Sequence, residues 1–219
     1  MRGAWKCCCG WATRSGGAPA ETEHTRVGAR AFLGLGLIVS CTTASVPRGT
    51  AVGRAVDPAP LSALLDSLGV DLDALELHVD KSERRLCVMR GTEALRCYAV
   101  VLGGAPEGDK RMQGDGRTPE GRFTFRDEYP HREWHRFAWI DHPNAESRVR
   151  FERRRASGEI PADADIGGEI GIHGVPSGMD VLITTGVDRT LGCIAMRNAD
   201  LDEVYAVIVP GRTIVRIGA

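Results

Sequence analysis

The spacing of apolar positions changes along the chain, and each change marks an element. Leu61, Leu64, Leu65 and Leu68 recur at helical spacing and stop at Gly69, which predicts a short amphipathic helix over 60–68. From Leu75 the period is two: Leu75, Leu77 and Val79 alternate with Glu76, His78 and Asp80, as a half-buried strand demands, and His78 is expected to be exposed. Leu86 to Met89 and Leu95 to Leu102 are short apolar runs bounded by Gly91 and by Gly103 and Gly104, so a β-meander continues. Phe123 to Phe125, Phe137 to Ile140 and the stretch from Gly167 into His173 read as further strands. Asn198 is expected to cap a helix in which Asp200, Asp202 and Glu203 suit the positive dipole end and Leu201, Val204, Tyr205 and Ile208 face a core. Pro210 and Gly211 then turn the chain into a last strand, Thr213 to Ile217. With strands outnumbering two helices, the fold class is mainly β.

The front of the chain follows neither period. Arg26 to Arg30 is a basic start, and Ala31 to Val39 is an apolar run too brief to span a membrane comfortably, which together read as an export signal. The run ends in Ile38-Val39-Ser40-Cys41, which resembles the bacterial lipobox, so Cys41 is the candidate for acylation. The alternative is an ordinary signal whose cysteine is incidental. Residues 42–59 are rich in small residues, Pro and Gly, as a flexible tether would be. The expected organisation is therefore a leader over 1–41, a tether over 42–59 and one domain over 60–219. Its expected location is a bacterial envelope, on the periplasmic side and anchored by lipid.

Composition narrows the function classes. With 42% hydrophobic and 26% charged residues, wholesale disorder and a multispan membrane protein are both excluded. The 28 Lys+Arg against 29 Asp+Glu leave a net charge of -1, without the basic excess that a nucleic-acid partner requires. The Gly-rich loop from Glu107 to Gly121 holds neither glycine pattern of a phosphate cradle.

Export bears on the cysteines, because an oxidising compartment lets disulfides persist. Cys87 and Cys97 lie equidistant from the centre of a turn at Gly91 to Glu93, so they are either a bonded cross-strand pair or two buried thiols. Cys193 is left over, and an odd thiol in an exported chain invites a search for chemistry. Cys193 follows Gly192, where backbone N–H groups can approach a reacting oxygen, and just precedes the helix start. A thiol ionises only slightly near neutral pH and needs a base. His173, at a strand end beside Gly174, is the best partner, and two neighbouring strand ends would bring the pair together.

The segments G-E-I-G-I-H-G (Gly168 to Gly174) and T-L-G-C-I-A-M (Thr190 to Met196) resemble the signature of the L,D-transpeptidase catalytic domain, the YkuD-type fold. Leu75 to Leu102 resembles that domain's opening meander, Arg117-Thr-Pro-Glu-Gly-Arg-Phe123 its T-P-x-G-x-F element, and Asn198 to Tyr205 its helix after the cysteine, so the likeness covers about residues 73–218. It implies a YkuD-type β-sandwich with few short helices, no cofactor and no metal. Cys193 would be the nucleophile, His173 the base, the Gly174 carbonyl the group orienting the imidazole, and the N–H groups of Gly192 and Cys193 the oxyanion hole. Thr190 is expected to contact substrate, and Arg197, which the resemblance itself does not assign, is expected to reach a substrate carboxylate from the other side of the strand-to-helix junction. The substrate would be a peptidoglycan stem peptide, attacked at its third residue with loss of D-Ala to give a thioester, which an amine then accepts. Leu191 and Ala195 depart from the commoner pattern, in which a polar residue and an arginine stand there. Two alternatives therefore stay open, a carboxypeptidase or amidase and a wall-binding lipoprotein without activity. A monomer is expected.

Two clusters remain. His131, His135 and His142 lie among Tyr129, Trp134, Phe137 and Trp139, but without an HExxH pattern a metal site is not the reading; an aromatic rim or plain packing is. Arg148, Arg150 and Arg153 to Arg155 form either a solvated face or a landing strip for an anionic polymer.

Overall fold

The computed structural model describes residues 59–219. The leader, the tether and Cys41 lie outside the described residues. Eight strands follow in chain order: β1 (Leu75–Asp80), β2 (Arg85–Arg90), β3 (Glu93–Val101), β4 (Gly121–His131), β5 (His135–Ile140), β6 (Gly171–His173), β7 (Ile194–Met196) and β8 (Ile214–Gly218). Four helices accompany them: α1 (Leu61–Leu68), α2 (Ala145–Ala156), α3 (Val181–Thr184) and α4 (Asn198–Tyr205). The architecture is mainly β with short helices, as expected. None of these helices is long and apolar enough to cross a membrane.

The strands are ordered β1, β2, β3, β7, β6, β5, β4, β8, and β8 returns to β1, so the two sheets meet at both edges and close into a barrel. The long strands β3 and β4 make the corners. Up to Ala99, β3 pairs with β2, and at Val100 and Val101 it pairs with β7; β4 pairs with β8 over 121–124 and with β5 beyond that. All pairings are antiparallel except β1 with β8 and β6 with β7. The parallel β6–β7 pair matters most: it sets His173, the last residue of β6, opposite Ala195, so Cys193 lies two residues back along the neighbouring chain rather than at an adjoining strand end.

Period-two burial fills the interior. Leu75, Leu77 and Val79 of β1 are buried, and one core joins them to Leu86, Phe123, Phe125, Ile140, Ile172, Ile194 and Val215. The same core receives Leu61 and Leu65 from α1 and Leu201 and Val204 from α4. Each such side chain contributes roughly 1.5–3 kcal/mol of burial. His78 is half-buried rather than exposed, its ring 3.2 Å from the Glu76 carboxylate.

Several expectations change here. Cys87 and Cys97 are directly opposed and bonded, and they sit on the outer face, so the buried-thiol alternative does not hold. Helix α2 was not legible, because it buries only Ser147 and Phe151 and so offers no apolar stripe; Asn144 caps it by accepting from the Ser147 N–H. Its arginines divide. Arg150 and Arg154 both bind the Asp109 carboxylate and tie α2 to the loop before β4, while Arg148, Arg153 and Arg155 are exposed. At α4 the cap position falls on Arg197, and Asn198 is the first helical residue.

Candidate active site

Strand β6 delivers His173 into an interior lined with aromatic rings. The imidazole is 1% exposed, stacks on Phe137 at 5.8 Å between centroids and lies 5.0 Å from Trp134. Its Nδ1 is 2.7 Å from the Gly174 carbonyl oxygen; a carbonyl only accepts, so Nδ1 carries the proton and Nε2 the lone pair. Nε2 is buried with no hydrogen-bond partner among the described residues. Burial pushes the pKa of His173 down to about 4, against the Gly174 hydrogen bond, which raises it. The imidazole is thus neutral at neutral pH, with one nitrogen held and the other available to accept a proton.

Gly174 is fixed from both sides. Its N–H faces the carbonyls of Trp134 and Arg136, and a Cβ there would stand 2.2 Å from Asn198 Oδ1 and 2.9 Å from the Trp134 carbonyl oxygen. The next residue is clamped by the side chain that had been expected to cap α4: Asn198 Oδ1 accepts from the Val175 N–H at 2.9 Å, and its Nδ2 donates to the Val175 carbonyl at 3.0 Å.

Cys193 directly precedes β7, whose Ile194 and Ala195 pair with Ile172 and His173. It is 1% exposed and packs with Trp134 and Phe137, the same two rings that pack on His173. Its Sγ lies 3.6 Å from the Glu169 carbonyl oxygen. Glu169 is a non-glycine residue at φ +57°, an uncommon left-handed conformation that aims this carbonyl inward. The structure therefore brings Cys193 and His173 against one aromatic wall.

The loop before the cysteine is held by Thr190. Its buried hydroxyl donates to the Cys193 carbonyl at 2.6 Å and accepts from the Gly192 N–H at 3.2 Å, so it shapes the loop from within. Gly192 sits at φ +133°, and a Cβ there would meet the Arg117 carbonyl oxygen at 2.7 Å. Arg197 lies outside this cluster, its guanidinium bound to both oxygens of Asp200.

A cavity of about 130 Å³ opens beside Cys193, lined by Lys110, Gln113, Glu169 and Leu191 and by the backbones of Gly167 and Gly168. Lys110 was not singled out in the sequence. Its Nζ lies 2.9 Å from Asp115, and the two side chains are 3% and 8% exposed. Burial pushes the Asp115 carboxyl up, but the Lys110 ammonium and the N–H groups of Arg111 and Arg117 outweigh it and hold the pKa below the usual aspartate value. The available signal was two opposite charges five residues apart in a glycine-rich loop.

The other histidines are dispersed. His131 stacks on Trp134 at 4.4 Å and accepts the Glu133 and Trp134 N–H groups, His135 faces Asp202, and His142 is buried beside Ser147. Among the described residues no group of three or more His, Cys, Asp or Glu is placed to hold a metal ion.

No curated protein sequence matches the chain. Among solved structures, it is similar to Bd1075 of Bdellovibrio bacteriovorus, at 19% identity and TM-score 0.46, over 66% of this chain and 48% of that one. It is also similar to the helical cell shape determining protein Pgp2 of Campylobacter jejuni, at 21% identity and TM-score 0.48, over 71% of this chain and 54% of that one. A third is the L,D-transpeptidase from Mycobacterium smegmatis, at 12% identity and TM-score 0.43, over 67% and 59%. The chain spans about half the length of the first two. The model of the L,D-transpeptidase catalytic domain, YkuD, matches residues 75–217, well over half of the sequence, and the chain belongs to that family.

Proposed function

We propose that this chain is a cysteine acyltransferase that acts on peptidoglycan stem peptides through a thioester on Cys193, at the bacterial envelope, exported as a monomer and tethered by acylation of Cys41. The observation that carries the reading is the tautomer of His173: Nδ1–H is bound to Gly174, which leaves a buried lone pair on Nε2 at the wall that Cys193 shares.

The chemistry follows from general base and covalent catalysis. Nε2 takes the thiol proton as Sγ adds to the carbonyl carbon of the stem's third residue. The C–N bond to D-Ala then breaks, the imidazolium returns its proton to the leaving amine, and the thioester remains. An acceptor amine adds to the thioester carbon while losing its proton to Nε2, the C–S bond breaks, and the thiolate recovers that proton. The N–H groups of Gly192 and Cys193 are the proposed donors to the oxyanion. That of Gly192 rests on the Thr190 hydroxyl at 3.2 Å, a long neutral bond, which a charged oxygen would outcompete.

The test is intact-mass spectrometry of the protein, in reductant, incubated with a stem tetrapeptide. A hydroxylamine-sensitive gain equal to the tripeptide acyl group, lost in Cys193→Ala and slowed in His173→Gln, is expected. Unmodified protein and unconsumed peptide would favour a wall-binding module instead.

A further inference from the structure

The cavity beside Cys193 contains a cation that the mechanism above does not use. Among the described residues Lys110 is the only basic side chain lining it; the one acidic side chain among them, Glu169, lies 3.2 Å from Arg126. The ammonium stands 3.5 Å from where a Gly192 side chain would begin, so it lies against the loop that presents the nucleophile. An ammonium has three N–H groups, and Asp115 is the one hydrogen-bond acceptor recorded for Lys110 among the described residues. Asp115 also accepts from the N–H groups of Arg111, Met112 and Arg117, which fixes the carboxylate and, through it, the lysine. The ammonium is therefore aimed before substrate arrives, and its buried charge is compensated in the empty site.

Three glycines share the rest of the lining with Gln113, Ile170 and Leu191. Gly114, Gly167 and Gly168 contribute no side chains, and about 130 Å³ accommodates a small residue rather than a continuing polymer. A small residue carrying a negative charge, placed next to the attacked carbonyl, matches both the size and the sign of this space.

Resting on the acyltransferase reading, we propose that Lys110, held by Asp115, is the receptor for the free α-carboxylate of the residue that leaves, and so restricts the enzyme to the terminal linkage of a stem. A lysine–carboxylate hydrogen bond is charge-assisted and among the stronger kinds, and a site built around it discriminates against an analogue whose neutral amide pairs less well with the ammonium N–H groups that Asp115 leaves open.

The experiment compares two stem tetrapeptides, one ending in free D-Ala and one in D-alaninamide, by kcat/KM for release of the last residue. The parent protein is expected to prefer the free acid by about tenfold or more, the scale of a hydrogen bond to a charged group. In Lys110→Met the ratio falls to near one, mainly through KM on the acid, while Lys110→Arg keeps a preference. Because Lys110→Met leaves Asp115 without its partner, the double variant Lys110→Met with Asp115→Asn is measured beside it, and thermal unfolding shows which variants fold. A parent that turns over both peptides equally, or folded variants that lose both equally through kcat, would overturn the assignment and leave the acyltransferase reading intact; the second pattern would make Lys110 an oxyanion donor. A parent that turns over neither peptide overturns both.

Discussion

Asn198 holds Val175 by both its N–H and its carbonyl, two residues beyond His173, and so links the start of α4 to the strand end that carries the imidazole. The amide acts as a cross-brace, and Gly174 lies within its span.

Removing the brace should cost position more than fold. Asn198→Ala leaves two backbone groups of Val175 without partners, a destabilisation of about 1–3 kcal/mol. With the Gly174 carbonyl no longer fixed, kcat should fall and the acid limb of the pH profile should shift, whereas a purely structural role would move the melting temperature alone. Thermal unfolding together with pH profiles of thioester formation checks this.

The acid side of the pH profile follows from burial. The pKa of His173 is pushed down to about 4 from an ordinary 6.5, so the neutral base persists well below pH 6. Because the folded state resists a proton that the unfolded chain accepts, this stability is fully present above 6.5 and is lost as pH falls from there toward 4. His142, also pushed to about 4, chiefly by burial and next by the Lys110 charge, adds in the same direction. Each group contributes about 3 kcal/mol between those limits. Denaturant unfolding at pH 7 and pH 4.5 should show the loss, and His173→Gln should reduce it.

Gly192 cannot be replaced. At φ +133° a side chain is strained by roughly 1–3 kcal/mol, and its Cβ would also press on the Arg117 carbonyl at 2.7 Å. Gly192→Ala is expected to lower stability and abolish thioester formation, read by unfolding and by intact mass.

The disulfide lies elsewhere and should behave differently. Cys87 and Cys97 close a loop with a sequence separation of 10 residues, so chain-entropy reasoning gives roughly 2–3 kcal/mol for the bond. The double variant Cys87→Ala with Cys97→Ala should melt earlier, and its specific activity below the melting range should match the parent's.

Much of this was legible because β1 to β3 and α4 bury period-two and helical sets that local spacing reveals. One turn placed Cys87 opposite Cys97 and left open whether they bond, and glycine neighbours singled out His173 and Cys193, which the fold packs on the same two rings. What stayed hidden depends on contacts distant in sequence. Helix α2 exposes most of its surface, and its arginines serve Asp109, a partner some forty residues away. Asn198 has a short polar side chain that fits a helix cap equally well, and only the fold shows that it reaches Val175 instead. Thr190 stands beside the signature as a substrate contact would, yet its hydroxyl is turned into the loop. Lys110 lies outside both signature segments, and the barrel alone brings it to the cysteine's cavity.

The most direct test of the central claim is mass spectrometry of peptidoglycan fragments and an added amine incubated with residues 42–219, beside the Cys193→Ala variant. Tetrapeptide stems should lose D-Ala and gain the amine with the parent protein and remain unchanged with the variant. Equal conversion by the two proteins would contradict a thioester on Cys193, and stems that only shorten would contradict transfer and make the enzyme a hydrolase.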